Sequence, residues 1–232
     1  ITWSTSEVFA TNKAWTLTSA DGAKQVYVKF RDEAGMWSNV YCDSIILDST
    51  PPTINITSPQ TYSNSATPLL SYSLSDGIAS VKVDGAPVTK ISGNYLDALP
   101  EGIHTIRVDA VDALGNSGFA EKTFTVDTVP PAISISSPAP GNTNQFSPPL
   151  LYTVNEGVVT VKVDGIVVNK VSGSSLDALQ NGPHIVRVES QDAAGNSSFV
   201  EVNFTVNAIP PTVTITSPTA GLTNNNTPLL AF

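Results

Sequence analysis

Two histidines, His104 and His184, are the only imidazoles in the chain, and they stand 80 residues apart. A histidine is the first candidate for a general base or a metal ligand at neutral pH. Here each follows a glycine by two residues and opens a long alternating run, and the earlier copy of the pattern carries Lys24 instead. That placement predicts a structural corner residue rather than a catalytic one. Asp109, Asp112, Asp127, Glu189 and Asp192 are the oxygen donors from which a calcium site would be built, since that cation takes six to eight oxygens. Asp112 and Asp192 also open the runs Asp112-Ala113-Leu114-Gly115-Asn116 and Asp192-Ala193-Ala194-Gly195-Asn196. In such runs Asp caps a turn and Gly takes the positive φ without any metal. No acidic stretch has the density of a helix–loop–helix calcium loop, and no serine stands in a nucleophile-elbow context. No catalytic set and no cofactor site is therefore expected, with calcium left open. Trp3, Trp15 and Trp37 all fall in the first 50 residues. An exposed aromatic row would suit carbohydrate stacking, but Trp3 aligns with Val83 and Trp15 with Tyr95, which predicts core or corner packing. The single cysteine, Cys42, excludes an intrachain disulfide and a multi-cysteine zinc site.

The rest of the composition narrows the function classes. The 232 residues carry 20 Asp+Glu against 11 Lys+Arg, a formal charge of −9. No basic stripe can be drawn on such a chain, so nucleic acid and anionic lipid surfaces are not expected partners. Hydrophobic residues make up 41% and charged ones 13%, enough apolar surface for packed cores and too few charges for a disordered chain. No run of 18 apolar residues occurs, so no membrane-inserted helix is expected in this segment. The opening ITWSTSEVFA has neither a basic nor an apolar region of the kind a signal peptide carries.

The elements that position these residues recur. VKVDG stands at 81–85 and 161–165, LDAL at 96–99 and 176–179, and Arg107 and Arg187 follow the two histidines at equal distance. Pro-Pro pairs at 51–52, 130–131 and 210–211 bound a unit of about 80 residues, and Pro-Leu-Leu follows each, at 68–70, 149–151 and 228–230. The expected organisation is the back part of a repeat over 1–50, complete repeats over 51–130 and 131–210, and the front part of another over 211–232. The expectation is a window on a longer tandem array. The alternative is head-to-tail complementation, in which the cut halves of different chains pair by strand addition.

Within a unit the pattern is all-β. Short alternating runs bounded by Gly, Pro, Asn, Asp and Ser predict strands over Thr53–Thr57, Pro68–Leu74, Ala79–Val83, Ala86–Thr89, Ile103–Val111 and Phe119–Val126. In Ile103–Val111, Ile106, Val108 and Ala110 fall on one face and Thr105, Arg107 and Asp109 on the other, the period of a half-buried strand. Asp84-Gly85 and Asp164-Gly165 suit two-residue hairpin turns. The Pro-Pro pairs fix φ and remove backbone donors, which stiffens a linker.

In order and spacing, Asp48 to Pro52, Asp127 to Pro131, Ser58-Pro59, Ser137-Pro138, V-x-V-D-G, G-x-H and D-A-x-G-N resemble the bacterial immunoglobulin-like (Big-type) tandem repeats of large surface and adhesin-like proteins. The resemblance covers both complete units and, more loosely, the terminal ones. It implies tandem immunoglobulin-like antiparallel β-sandwiches in an extended rod, with each histidine standing where the sandwich fold places a corner tyrosine that bonds backbone. It implies an extracellular or cell-surface stalk whose partners are neighbouring repeats, with calcium stiffening the joints in some relatives. Asn207, where the preceding linker has Asp127, departs from that pattern. The alternatives are a self-assembling filament subunit, a carbohydrate-binding module and an accessory region of a secreted hydrolase.

Overall fold

The computed structural model describes residues 3–209 and, beyond them, 212, 214–217, 221, 224–227, 229 and 231. Gly22–Val28 (β1) and Tyr41–Leu47 (β2) form an antiparallel pair in the first segment. The next repeat contributes Ile54–Ser58 (β3), Tyr62–Ser63 (β4), Ser71–Leu74 (β5), Ile78–Val83 (β6), Ala86–Val88 (β7), Gly102–Val111 (β8) and Ser117–Val126 (β9). The one after it contributes Ile133–Ser137 (β10), Gly141–Thr143 (β11), Leu151–Val154 (β12), Val158–Val163 (β13), Ile166–Val168 (β14), Gly182–Gln191 (β15) and Ser197–Val206 (β16). No α-helix occurs among the described residues. The chain divides into two compact units, Ile1–Thr61 with Thr67–Thr125, and Tyr62–Ala66 with Val126–Phe232.

The second unit is a two-layered sandwich. One sheet has the order β11-β16-β15-β13-β14, and the other pairs β10 with β12. Between them lie Leu150, Val161, Val163, Leu176, Val186, Val188, Val202, Phe204 and Val206, with Ile133, Ile135, Tyr152 and Val154 of the small sheet packed against them. Each such side chain contributes roughly 1.5–3 kcal/mol by leaving water. The predicted alternation holds: Val186, Val188 and Ser190 point inward on β15, while Arg187 and Glu189 are half-exposed. β15 and β16 pair without slippage from Gly182↔Val206 to Gln191↔Ser197, so the five residues between them close a tight turn. One pairing breaks the antiparallel rule: β11 runs parallel to β16.

The first unit repeats the plan. β3 pairs with β5, β8 lies between β6 and β9, and β7 borders β6. Leu70, Val81, Val83, Leu96, Ile106, Val108, Ala110 and Phe124 are buried. Asp84 and Gly85 both take positive φ, 51° and 81°, as a two-residue turn of the mirror-image type requires. The expected strand over Pro68–Leu74 is shorter than predicted and begins at Ser71. Its front portion bonds elsewhere: Leu70 donates to the Asn94 carbonyl at 2.9 Å, and Leu96 donates to Pro68 at 2.9 Å. This crossing seals Leu70, which has no exposed surface, beneath the 91–96 loop.

The tryptophans differ from expectation. Trp3, Trp15 and Trp37 are 40%, 55% and 46% exposed, so the expected core packing is not found; Trp15 resembles its aligned residue Tyr95, itself 65% exposed, whereas Trp3 differs from the buried Val83. In the first segment β1 and β2 form a sheet of one layer, and no second layer closes on it among the described residues. The ammonium of Lys29 sits 4.5 Å from the centre of the Trp3 ring and 4.3 Å from that of Trp37, a cation–π arrangement. Cys42 is exposed and free. At the other end, Ser217 pairs with Ala231 as Ser58 pairs with Ser71 and Ser137 with Leu151. The third proline pair, Pro210-Pro211, and ten of the 22 residues of the expected front half over 211–232, Pro228 and Leu230 of the last Pro-Leu-Leu among them, lie outside the described residues.

Candidate functional site: the turn that grips the linker

The turn between β8 and β9 is organised by one carboxylate. Asp112 is buried, and its Oδ1 accepts from the backbone N–H of Leu114 at 2.8 Å and of Asn116 at 2.9 Å. Its Oδ2 accepts from the side-chain Nδ2 of Asn116 at 2.7 Å. These donors, the Asn116 amide first, hold the Asp112 carboxyl below its ordinary 3.8. The second Nδ2 proton of Asn116 goes to the carbonyl of Asp48 in the preceding linker, at 3.2 Å. The second unit repeats each contact. Asn196 Nδ2 donates to Asp192 Oδ2 at 2.8 Å and to the Asp127 carbonyl at 2.7 Å. Burial works against the charge on Asp192, but the Asn196 donors and the turn backbone outweigh it and lower its pKa. Each repeat thus holds the linker that precedes it by a half-buried asparagine paired with a buried aspartate.

Two close backbone approaches place the linker there. A Cβ on Gly118 would lie 2.3 Å from the Pro52 carbonyl, so in this repeat β9 starts closer to the proline pair than a side chain would allow. Its counterpart Ser198 is tied to the second proline pair by a hydrogen bond instead, its hydroxyl donating to the Pro131 carbonyl. Gly77 has φ +83°, and a Cβ on it would lie 2.4 Å from the Val111 carbonyl. That contact brings the β5–β6 turn, and Asp76 with it, beside Asp112.

As a result Asp48, Asp76 and Asp112 each place a carboxylate oxygen within 4.8 Å of the others. Part of their capacity is used: Asp48 Oδ1 accepts from Thr50, and Asp76 Oδ1 from Gly77. One oxygen each of Asp48 and Asp76 is left for a cation, and Asp112 Oδ2 is shared with Asn116. Three carboxylates with solvent around Asp76 fit a hard divalent cation that completes its shell with water.

Of the five acidic candidates from the sequence, Asp112 is in this group. Asp109 and Glu189 lie elsewhere, on the outer face of the large sheets. Asp109 takes Lys82 at 3.0 Å and Arg107 at 2.7 Å; Glu189 takes Lys162 at 2.6 Å and Arg187 at 2.9 Å. The lysine in each case is the leading cause of a lowered carboxyl pKa. Asp127 spends its Oδ1 on the Val129 N–H, and Asp192 on Asn196. Among the described residues, Asp127 and Asp192 form no second group of three. Sequence reasoning missed Asp76 and used Asp48 only as a linker marker. The signal was the pair Asp76-Gly77, repeated as Glu156-Gly157, which marks the same turn.

Both histidines sit at the opposite end of their strands and bond backbone, as the corner reading expects. His104 Nε2 lies 2.9 Å from the Pro100 carbonyl, and His184 Nε2 lies 2.8 Å from that of Gln180. Their Nδ1 atoms each lie 2.7 Å from a turn carboxylate, Asp84 and Asp164.

No protein-family model and no curated protein matches the chain. Solved structures do. The fibronectin(III)-like modules of Clostridium thermocellum CbhA are 14% identical with a TM-score of 0.45, over 66% of this chain and 94% of theirs. A tetra-tandem repeat in the extending region of a large adhesion protein is 22% identical with a TM-score of 0.34. It covers 81% of this chain, which spans 57% of it. A Ca2+-stabilised, ice-binding adhesin of an Antarctic bacterium is 20% identical with a TM-score of 0.33, over 80% of this chain and 56% of its own.

Proposed function

We propose that this chain is a structural spacer within a secreted or cell-surface, adhesin-like bacterial protein, and that it carries no catalysis. One observation supports the reading above the others. The same Asp-Asn turn grips the preceding linker twice, through Asp48 and Asp127, about 80 residues apart. A joint rebuilt in each repeat lets such an array grow by repeat number, with each unit depending on its neighbours. The partners on this reading are the adjoining repeats, and the array is extended. At the first joint, Asp48, Asp76 and Asp112 would hold a calcium ion, which would neutralise their mutual repulsion and fix the linker to two turns. At the second joint Glu156 replaces Asp76, and the linker is held by the Asn196 amide and the Ser198 hydroxyl.

Pulling on single molecules tests the reading. A repeat of about 80 residues releases roughly 250 Å of chain when it unfolds, at about 3.3–3.6 Å per residue less its folded length. The proposal expects two such events of similar force, one for each complete repeat. A chain that lengthens smoothly without resisting force would contradict a mechanical role.

A further inference from the structure

We propose that each complete repeat is closed by a histidine held as an imidazolium at neutral pH, so that the Asp84–His104–Pro100 and Asp164–His184–Gln180 corners are pH-operated latches. The argument starts from the partners. Nδ1 of His104 faces a carboxylate oxygen at 2.7 Å and Nε2 faces a carbonyl oxygen at 2.9 Å. Both partners are acceptors. A neutral imidazole has one N–H, and would point a lone pair at one of them; the imidazolium donates to both. The second copy has the same geometry, at 2.7 and 2.8 Å. The ring cannot turn to water to escape, because His104 is 6% exposed.

The acceptor is held as firmly as the ring. Asp84 lies in the positive-φ turn, and its other oxygen accepts from the Thr105 N–H at 2.8 Å. Asp164 does the same with Ile185 at 2.9 Å. The other charges around the ring do not compete. From β9, Phe124 stands 5.7 Å away, and from β16, Phe204 stands 5.8 Å from His184. Lys82, Arg107, Asp109 and Glu121, and their counterparts Lys162, Arg187, Glu189 and Glu201, pair with one another on the opposite sheet face. Lys90 is paired with Asp97 and Lys170 with Asp177, at 2.7 and 2.6 Å. Glu101, beside the first corner, is replaced by Asn181 at the second, so that carboxylate is not required. The first segment carries Lys24 at the aligned position, a fixed cation.

Burial of His104 opposes its charge, but the Asp84 carboxylate and the Pro100 carbonyl outweigh it and raise the pKa above 6.5. For His184 the Asp164 carboxylate is the leading cause of the rise. A folded pKa above the unfolded one stabilises the corner fully below about 6.5. That contribution is lost as the pH climbs through the folded value. On the acid side, the His104 hydrogen bond is the leading cause of the lowered Asp84 pKa. Its contribution is present above about 3.9 and lost below, so the latch holds across the window between.

The two histidines are the chain's only imidazoles, so nitrogen NMR of the intact chain reads them directly. At pH 7 both ring nitrogens of both residues should carry protons, with midpoints above 6.5. Asp84→Asn should lower the His104 midpoint by about one pH unit or more and leave His184 as an internal control. The melting temperature should fall between pH 6 and 9, and His104→Gln with His184→Gln should flatten that fall. A neutral tautomer predominating at pH 7 in the unmodified chain would overturn the proposal. So would a melting temperature that does not change over that range.

Discussion

The side-chain amide of Asn116 donates to the carbonyl of Asp48, 68 residues earlier in the chain, while its other proton goes to Asp112 of its own turn. An asparagine is suited to this place, because its two amide protons point to two acceptors at once. One belongs to the repeat and one to the linker, so the same side chain that closes the β8–β9 turn also fixes where the repeat begins. Asn196 does this again with Asp127 and Asp192.

Asn116→Ala removes both bonds. Each is worth about 0.5–1.5 kcal/mol, more where the acceptor is charged. The variant should keep its fold, melt a few degrees lower, and become more open to proteolysis between residues 48 and 53. Asn196→Ala should move the cleavage to the 127–132 linker. Limited digestion followed by mass spectrometry separates the two.

Gly77→Ala should be far more damaging than its size suggests. The new methyl would stand 2.4 Å from the Val111 carbonyl, on a backbone of φ +83°. A strained φ alone costs about 1–3 kcal/mol. Gly93→Ala is the comparison, with φ +94° and nothing within 4 Å. Chemical denaturation should place the Gly77 variant lower than the Gly93 variant by more than 1 kcal/mol, an order-of-magnitude figure for the added clash.

Leu70 and Leu150 are equivalent residues without exposed surface, one in each complete repeat. Leu→Ala at either should cost about 2–5 kcal/mol. If the repeats melt separately, calorimetry of Leu70→Ala should lower one transition and spare the other.

For the cation, thermal melting in millimolar calcium and in chelator is the test. The first joint should be stabilised by calcium, with the response saturating in the range of about 10⁻⁴–10⁻³ M typical of extracellular modules. Asp76→Asn should abolish the response. In chelator it should melt no lower than the unmodified chain, because it relieves repulsion among three carboxylates. A loss of stability in chelator would mean that Asp76 is held by its own hydrogen bonds rather than poised for a cation.

Much of the fold can be read from the residues. Period-two alternation located β8, and Asp84-Gly85 located a hairpin with both φ values positive. The tripeptide β11 escaped, since a three-residue parallel pairing leaves no periodic trace. The joint was half legible. Asp112 to Asn116 announced a turn, but the amide of Asn116 reaches a linker carbonyl, and a carbonyl has no sequence signature. Asp76 was hidden because its position depends on Gly77 touching Val111, a contact between distant elements. Asp109 and Glu189 misled as cation candidates because the residues that engage them, Lys82 with Arg107 and Lys162 with Arg187, stand across a sheet. Trp3 was misread because alignment to a core position implies burial only where two layers close on it, and Trp15 because its aligned residue, Tyr95, is itself exposed.

The central claim is that the chain is an extended spacer, and small-angle scattering tests it most directly. A compact chain of this length has a radius of gyration of about 17 Å. Ten-residue strands such as β8 span about 33 Å, so three repeats in line approach 100 Å, and the radius of gyration becomes roughly 30 Å. The account predicts the larger value, in a monomer, at all concentrations. A radius near the compact value would contradict it, and a mass that rises stepwise with concentration would turn the spacer into an assembling subunit.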